Sequence, residues 1–233
     1  MRCATLAVSA ATTIALASSA MAGVVYNDSA TDVNADMLGN PLMNILSVEV
    51  SHTSTNIEFL FTLNDFVSPY SSNYYAIALS TPGAATKTTS VWNPVNRASF
   101  ASNGGMNYVV AADIDSGGRT WFQSHGASGW STPGQNQNSS FQSSYETNTM
   151  VINVTRSAIG MEGDGTFFFD AWAMARNNSV FDALSTNATL GSYDSSFTTT
   201  SALSYTIGAP VPAPGAFALL GAAGLLGSRR RRA

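Results

Sequence analysis

The chain has 233 residues, 45% of them hydrophobic and only 10% charged, with a single cysteine and a formal charge of −4 at pH 7. Charged residues fall well below the ~25% of an average soluble domain, and one cysteine excludes a disulfide framework or a cysteine-rich metal site. Between Gly23 and Pro210 lie all 14 acidic residues but only Lys87, Arg97, Arg119, Arg156 and Arg176 as basic ones, a charge of −9, which repels phosphate backbones and excludes nucleic acid as a partner.

Met1-Arg2 is a short positive start, Ala4 to Ala17 an apolar small-residue stretch, and Ala20-Met21-Ala22 an A-x-A cleavage site before Gly23. That is the pattern of a secretory signal peptide over residues 1–22, with the secretion machinery and signal peptidase as its partners. Cys3 precedes the apolar stretch, so it is no lipobox cysteine and leaves with the signal. Residues 23–210 then form one domain, long enough to bury a core without staples.

From Val24 onward the dominant apolar period is two, the period of strands. Ile45 to Val50 is a first candidate; Ile57, Phe59, Phe61 and Leu63 alternate with Glu58, Leu60 and Thr62 in a second. The polar residues Ser51 to Asn56 between them predict a hairpin. Tyr74 to Leu79, Asn107 to Asp113, Arg119 to Gln123, Thr149 to Arg156, Thr166 to Ala175 and Leu203 to Ile207 follow as further strands, with Ser157 to Gly160 a single turn at a corner. Loops are expected over Thr81 to Ser102 and Gly126 to Ser144, both rich in Ser, Asn, Gly and Pro. No segment keeps a helical stripe for three turns. Eight or nine short strands predict an all-β fold, a two-layer antiparallel, jelly-roll-like β-sandwich.

Catalytic motifs are few. The histidines are His52 and His125, and H-E-x-x-H, G-x-S-x-G and P-loop patterns are missing. His125 with Ser124 or Ser128 and the acids Asp113 and Asp115 makes a triad only if the fold gathers them, and Glu146 with Glu162 is one of many carboxylate pairs. No cofactor is called for beyond a structural calcium ion. Asp113 and Asp115 leave a strand into Ser116-Gly117-Gly118, and Glu162-Gly163-Asp164 sits in a turn; both offer hard oxygens. Trp92 and Trp130 stand in polar, turn-rich segments where an indole stacks on a sugar ring or caps the end of the fold. Trp121 and Trp172 lie inside strand runs and are assigned to the core.

The chain closes on Pro212-Ala213-Pro214-Gly215, an apolar run from Ala216 to Gly227, and Arg229, Arg230, Arg231 and Arg232. As a helix the run reaches only ~18 Å of a ~30 Å hydrocarbon core, too short for a firm anchor, and the prolines stop it growing backwards. Residues 211–233 resemble the PEP-CTERM sorting tail of exopolysaccharide-producing bacteria, with Ala213 in place of the family's usual glutamate. The resemblance implies an exosortase-type membrane protease as partner, a transient inner-membrane intermediate, and delivery to the cell surface or extracellular matrix. An ordinary tail anchor is the alternative.

The middle of the chain, LSVEV, NIEFLFTL, YYAIAL, a Trp-Asn-Pro loop, GGMNYVVAADIDSG, TMVINVTRSAIG, GTFFFDAWAMA and FDALS, is similar to DOMON-like and carbohydrate-binding family 9-like sandwiches. That similarity implies sugar or haem binding, and calcium in some relatives. Haem would need a methionine and a histidine as axial ligands, here Met106, Met161 or Met174 with His52 or His125. The expectation is an exported, non-catalytic surface or matrix protein that binds exopolysaccharide; a secreted enzyme acting on polysaccharide and a haem-binding module stay open beside it.

Overall fold

A computed structural model describes residues 23–33, 41–65, 73–84, 86–91, 95–114, 118–143, 147–175, 179–190 and 196–208. The segments expected to be a signal peptide, 1–22, and a sorting tail, 211–233, lie outside the described residues. Fifteen strands follow in chain order: β1 (Val24–Asn27), β2 (Ile45–His52), β3 (Asn56–Leu63), β4 (Asn73–Ser80), β5 (Ala98–Phe100), β6 (Tyr108–Asp113), β7 (Arg119–Gly126), β8 (Gly129–Trp130), β9 (Gly134–Gln135), β10 (Ser139–Ser143), β11 (Thr149–Thr155), β12 (Gly165–Ala175), β13 (Val180–Ala183), β14 (Phe197–Thr199) and β15 (Leu203–Ile207). The described residues contain no α-helix, only short 3-10 turns, so the chain is all-β as its period-two pattern predicts.

The first sheet runs β1-β2-β3-β11-β10, antiparallel throughout. Its inner face is set by β3, where Ile57, Phe59, Phe61 and Leu63 are fully buried and their neighbours are not. Register carries that face sideways: Val50 and Ile152 flank Phe59, and Val48 and Met150 flank Phe61. Each such row is a set of cross-strand pairs, the unit of sheet stabilisation. The β2–β3 hairpin turns on Thr53, whose N–H donates to the Asn56 carbonyl at 2.8 Å while its hydroxyl accepts from the Asn56 N–H at 3.0 Å.

The second sheet runs β13-β12-β4-β6-β7-β8, with β15 also on β12 and β9 on β7. The two sheets share one core, and aromatic edges meet across it: Phe59 lies 5.5 Å from Phe169, and Phe61 lies 5.8 Å from Tyr75. β12 is the spine, paired along one side with β4 and along the other with β15 and then β13. Phe167, Phe169, Ala171 and Ala173 face the shared core, whereas Trp172 and Met174 face a second core beneath the connections, with Val95, Phe100 and Met106. A strand covered on both faces reads as a near-continuous apolar run, and GTFFFDAWAMA, polar only at Thr166 and Asp170, is one.

The segments expected as loops hold strands. β5 lies in Thr81 to Ser102, and β8, β9 and β10 lie in Gly126 to Ser144. β8, β9 and β10 hold no fully buried side chain, and β5, which buries Ala98 and Phe100, is only three residues long, so hydropathy does not mark them. Ser157–Ile159 is the expected corner turn, closed by Gly160 at φ 68°, a left-handed value that glycine adopts at no steric cost.

Truncating Phe59 should test the shared core directly. Phe59→Ala should lower the unfolding free energy in urea by about 3–5 kcal/mol, while Glu58→Ala, one residue along and facing outward, should change it by less than about 0.5 kcal/mol.

Candidate functional site

Among the described residues, the fold keeps Asp113 apart from the serine and histidine of the triad that the sequence offers. Asp113 pairs in register with Arg119 at one end of β6–β7, and Tyr108 pairs with Ser124 at the other. Five strand residues, about 17 Å, separate Asp113 from Ser124 and His125. The Asp113 carboxylate is buried and accepts from the Arg119 guanidinium at 3.1 Å. Asp113 is thus charge-paired across the hairpin, and Asp115, named with it as a calcium ligand, lies outside the described residues. The haem candidates are similarly engaged: Met106 and Met174 fill the second core, Met161 the shared one. His52 Nδ1 is 2.7 Å from the Tyr205 hydroxyl, and burial, with Arg156 nearby, lowers its pKa.

Of the four tryptophans, Trp172 is fully buried, as expected. Trp121 is not a core residue; it is partly exposed on the outer face of β7, because Phe122 takes the inward position. Trp92 lies outside the described residues. Trp130 is half-buried, packed against the second core with its edge 5.1 Å from His125. Its indole N–H donates to the Thr89 carbonyl at 2.9 Å, so the ring is fixed in place and only part of it meets solvent.

Trp130 belongs to a row that crosses the outer face of the second sheet. Phe168 is in register with Ser80, the Asn107 N–H donates to the Leu79 carbonyl, the His125 N–H donates to the Asn107 carbonyl, and His125 is in register with Trp130. Five strands at about 4.8 Å spacing put the two aromatic ends about 19 Å apart. At the Phe168 end a groove of about 360 Å³ is lined by Ser80, Thr81, Pro82, Thr86, Asn103 and Thr166 together with that ring. Its rim depends on backbone geometry. Asn103 sits at φ 53°, an uncommon conformation for a residue with a side chain. Gly105, at φ 115°, lets the Lys87 backbone approach where a Cβ would stand 2.7 Å from its carbonyl.

At the opposite end of the sheet is a cluster that the sequence does not announce. Asp28 and Asp32 come from the loop after β1, and Asp182 from β13. One carboxylate oxygen of each lies within 4.8 Å of one from both others. Asp182 is buried and accepts from the Ile45 N–H at 2.6 Å and the Ala183 N–H at 2.9 Å. Asp28 accepts from the Ser29 N–H at 2.8 Å. Burial, then the neighbouring acids, push Asp28 up to about 9 and Asp182 up to about 8, and burial raises Asp32 as well. The signal in the sequence is slight: D-S-A-T-D is a short acidic turn, and only the sheet topology brings Asp182 to it.

No protein-family model and no curated protein sequence matches this chain.

The acid cluster sets a pH dependence. An ordinary aspartate titrates near 3.8 in the unfolded chain, so between about pH 4 and pH 9 the folded state holds protons at Asp28 and Asp182 that the unfolded state has released. Folding is then favoured by acid and weakened as pH climbs through that window. In metal-free buffer the urea midpoint should be higher at pH 5 than at pH 8, and it should level off above pH 9.

Proposed function

We propose that this chain is an exported, non-catalytic surface or matrix protein that binds a neutral glycan along one end of its second sheet. Its fold on this reading is a two-layer sandwich of jelly-roll type, entered after removal of residues 1–22. Exosortase-type processing at Pro212, Pro214 and Gly215 then releases it from the inner membrane to the surface or matrix. The limits of the strands support that order: β1 begins at Val24, directly after the A-x-A site, and β15 ends at Ile207, before the proline motif.

The observation that carries the binding reading is the row from Phe168 to Trp130. It carries a partly exposed aromatic ring at each end, Phe168 beside the groove's hydroxyl and amide side chains and Trp130 beside His125, with Ser80 and Asn107 buried between them. Apolar ring faces stack on sugars, and hydroxyls exchange hydrogen bonds with them. The charge of −9 over residues 23–210 disfavours acidic polymers and selects neutral ones. A stacked ring contributes on the order of 1 kcal/mol, so single-site affinity is modest and many copies on a matrix supply the retention.

Affinity electrophoresis in gels containing the producer's own polysaccharide tests this. Trp130→Ala and Phe168→Ala should each reduce retardation by roughly fivefold, and Trp130→Phe should keep most of it. Variants are compared only where their unfolding temperatures match wild type. Matched variants that migrate like wild type would remove these rings from the site, and release of reducing ends would identify an enzyme instead.

A further inference from the structure

The described residues contain six buried side-chain polar atoms without a hydrogen-bond partner, and four of them are acceptors. All four acceptors belong to one place: Asp28 Oδ2, both oxygens of Asp32, and Asn44 Oδ1. Asp32 is 3% exposed and Asn44 2%, so water does not replace the missing donors. Asn44 is held at the cluster from two sides. Its Nδ2 donates to the Ala30 carbonyl at 2.8 Å, midway between Asp28 and Asp32, and the next residue, Ile45, donates its N–H to Asp182. That bond leaves the amide oxygen as the free end of the side chain. Buried acceptors are almost always satisfied, and three carboxyl groups gathered with no cationic side chain among them either keep protons between them or bind a cation in the protons' place.

We propose that Asp28, Asp32, Asp182 and the Asn44 side-chain oxygen form a calcium site. The donors are all hard oxygens, with no nitrogen or sulfur to favour zinc. Oxygens bound to one calcium at 2.3–2.6 Å can stand up to about 5 Å apart, and the carboxylate oxygens here meet that limit at 4.8 Å. Three carboxylates and one amide supply four or more of the six to eight ligands calcium takes, and the partly exposed Asp28 leaves an open side for water to complete the shell. Magnesium, which keeps several waters in a strict octahedron, suits a rigid, mostly protein-made cage less well. The ion would join the loop after β1, the turn before β2, and β13, three segments from opposite ends of the chain. The site stands apart from the glycan row and does not depend on it.

The test uses the purified protein stripped with EDTA and then dialysed at pH 7, with calcium or magnesium chloride added. Calorimetric titration should show one calcium bound per chain at this site, with 10 mM calcium raising the thermal midpoint by roughly 3–10 °C and magnesium having a much smaller effect. Asp32→Asn gives the decisive sign. It removes a buried carboxyl group with no cation beside it, so the stripped variant should melt above the stripped wild type, yet lose most of the calcium shift. A stripped variant that melts lower, a variant that keeps the full shift, or a wild type that gives neither heat nor shift with calcium would each overturn the assignment. Asp113→Asn is the control for calcium held elsewhere, and it should leave the calcium shift intact.

Discussion

Everything in this fold hangs on a strand whose central residues, Phe169 to Met174, have no solvent face. β12 gives one side to the core between the sheets and the other to the core beneath the connections. Its one charged residue, Asp170, is therefore wholly enclosed. The cost of burying a carboxyl group is offset only by hydrogen bonds, and Asp170 has five donors. These are the N–H groups of Ala171 at 2.8 Å and Ser185 at 3.1 Å, the Ser185 hydroxyl at 2.7 Å, the Trp172 indole at 2.9 Å, and the Thr199 hydroxyl. Burial still raises its pKa against them. The carboxyl group ties the spine to the turn after β13 and to β14, and so decides how the outer layer of connections lies on the sheet.

That outer layer is what makes the two ends of the second sheet different. β12 presents Phe168 to the groove and, five residues on, Ala173 in register with Asp182 of the acid cluster. The aromatic row and the carboxylates are thus about 17 Å apart along one strand. A structural device at one end can keep the sheet rigid without intruding on the surface at the other. Arg156 does a comparable job at the corner after β11. Its guanidinium is buried and donates to the carbonyls of Thr53, Met161, Glu162 and Gly163, so a charged side chain closes a turn without using an acid.

What the sequence tells and what it withholds follow from how local each feature is. Ile57 to Leu63 alternates within eight residues, and GTFFFDAWAMA is apolar but for Thr166 and Asp170, so both strands and the all-β class can be read directly. Trp121 sits in an equally convincing run yet faces outward, because hydropathy cannot say which parity of a strand points to the core when Phe122 is as apolar as its neighbour. β8, β9 and β10 bury little, and β5 buries Ala98 and Phe100 in a strand too short to show a period. The acid cluster is the extreme case: Asp32 and Asp182 are 150 residues apart in sequence, and their meeting is a property of strand order alone. Asp113 and Asp115 stood out as a local acidic pair, but Asp113 has a cross-strand arginine beside it.

Strand order also fixes a timetable for folding. The Tyr26 hydroxyl of β1 donates to the Ser204 carbonyl at 2.5 Å, across a sequence separation of 178 residues. Its ring lies 5.0 Å from Phe169. Neither partner exists when β1 is made, although β2 soon follows to pair with it. At about 5–20 residues per second of synthesis, the gap between Tyr26 and Ser204 lasts roughly ten to forty seconds. Contacts of such long range are also the slowest to form once both partners are present. Through that interval the first strand waits as a half-docked edge, with Val24 and Val25 facing water and an unpaired backbone row that another chain could extend. A nascent chain of this topology therefore has its aggregation risk concentrated at its oldest residues, and the youngest strand, which pairs with β12, tethers β1 through Tyr26 without covering its edge.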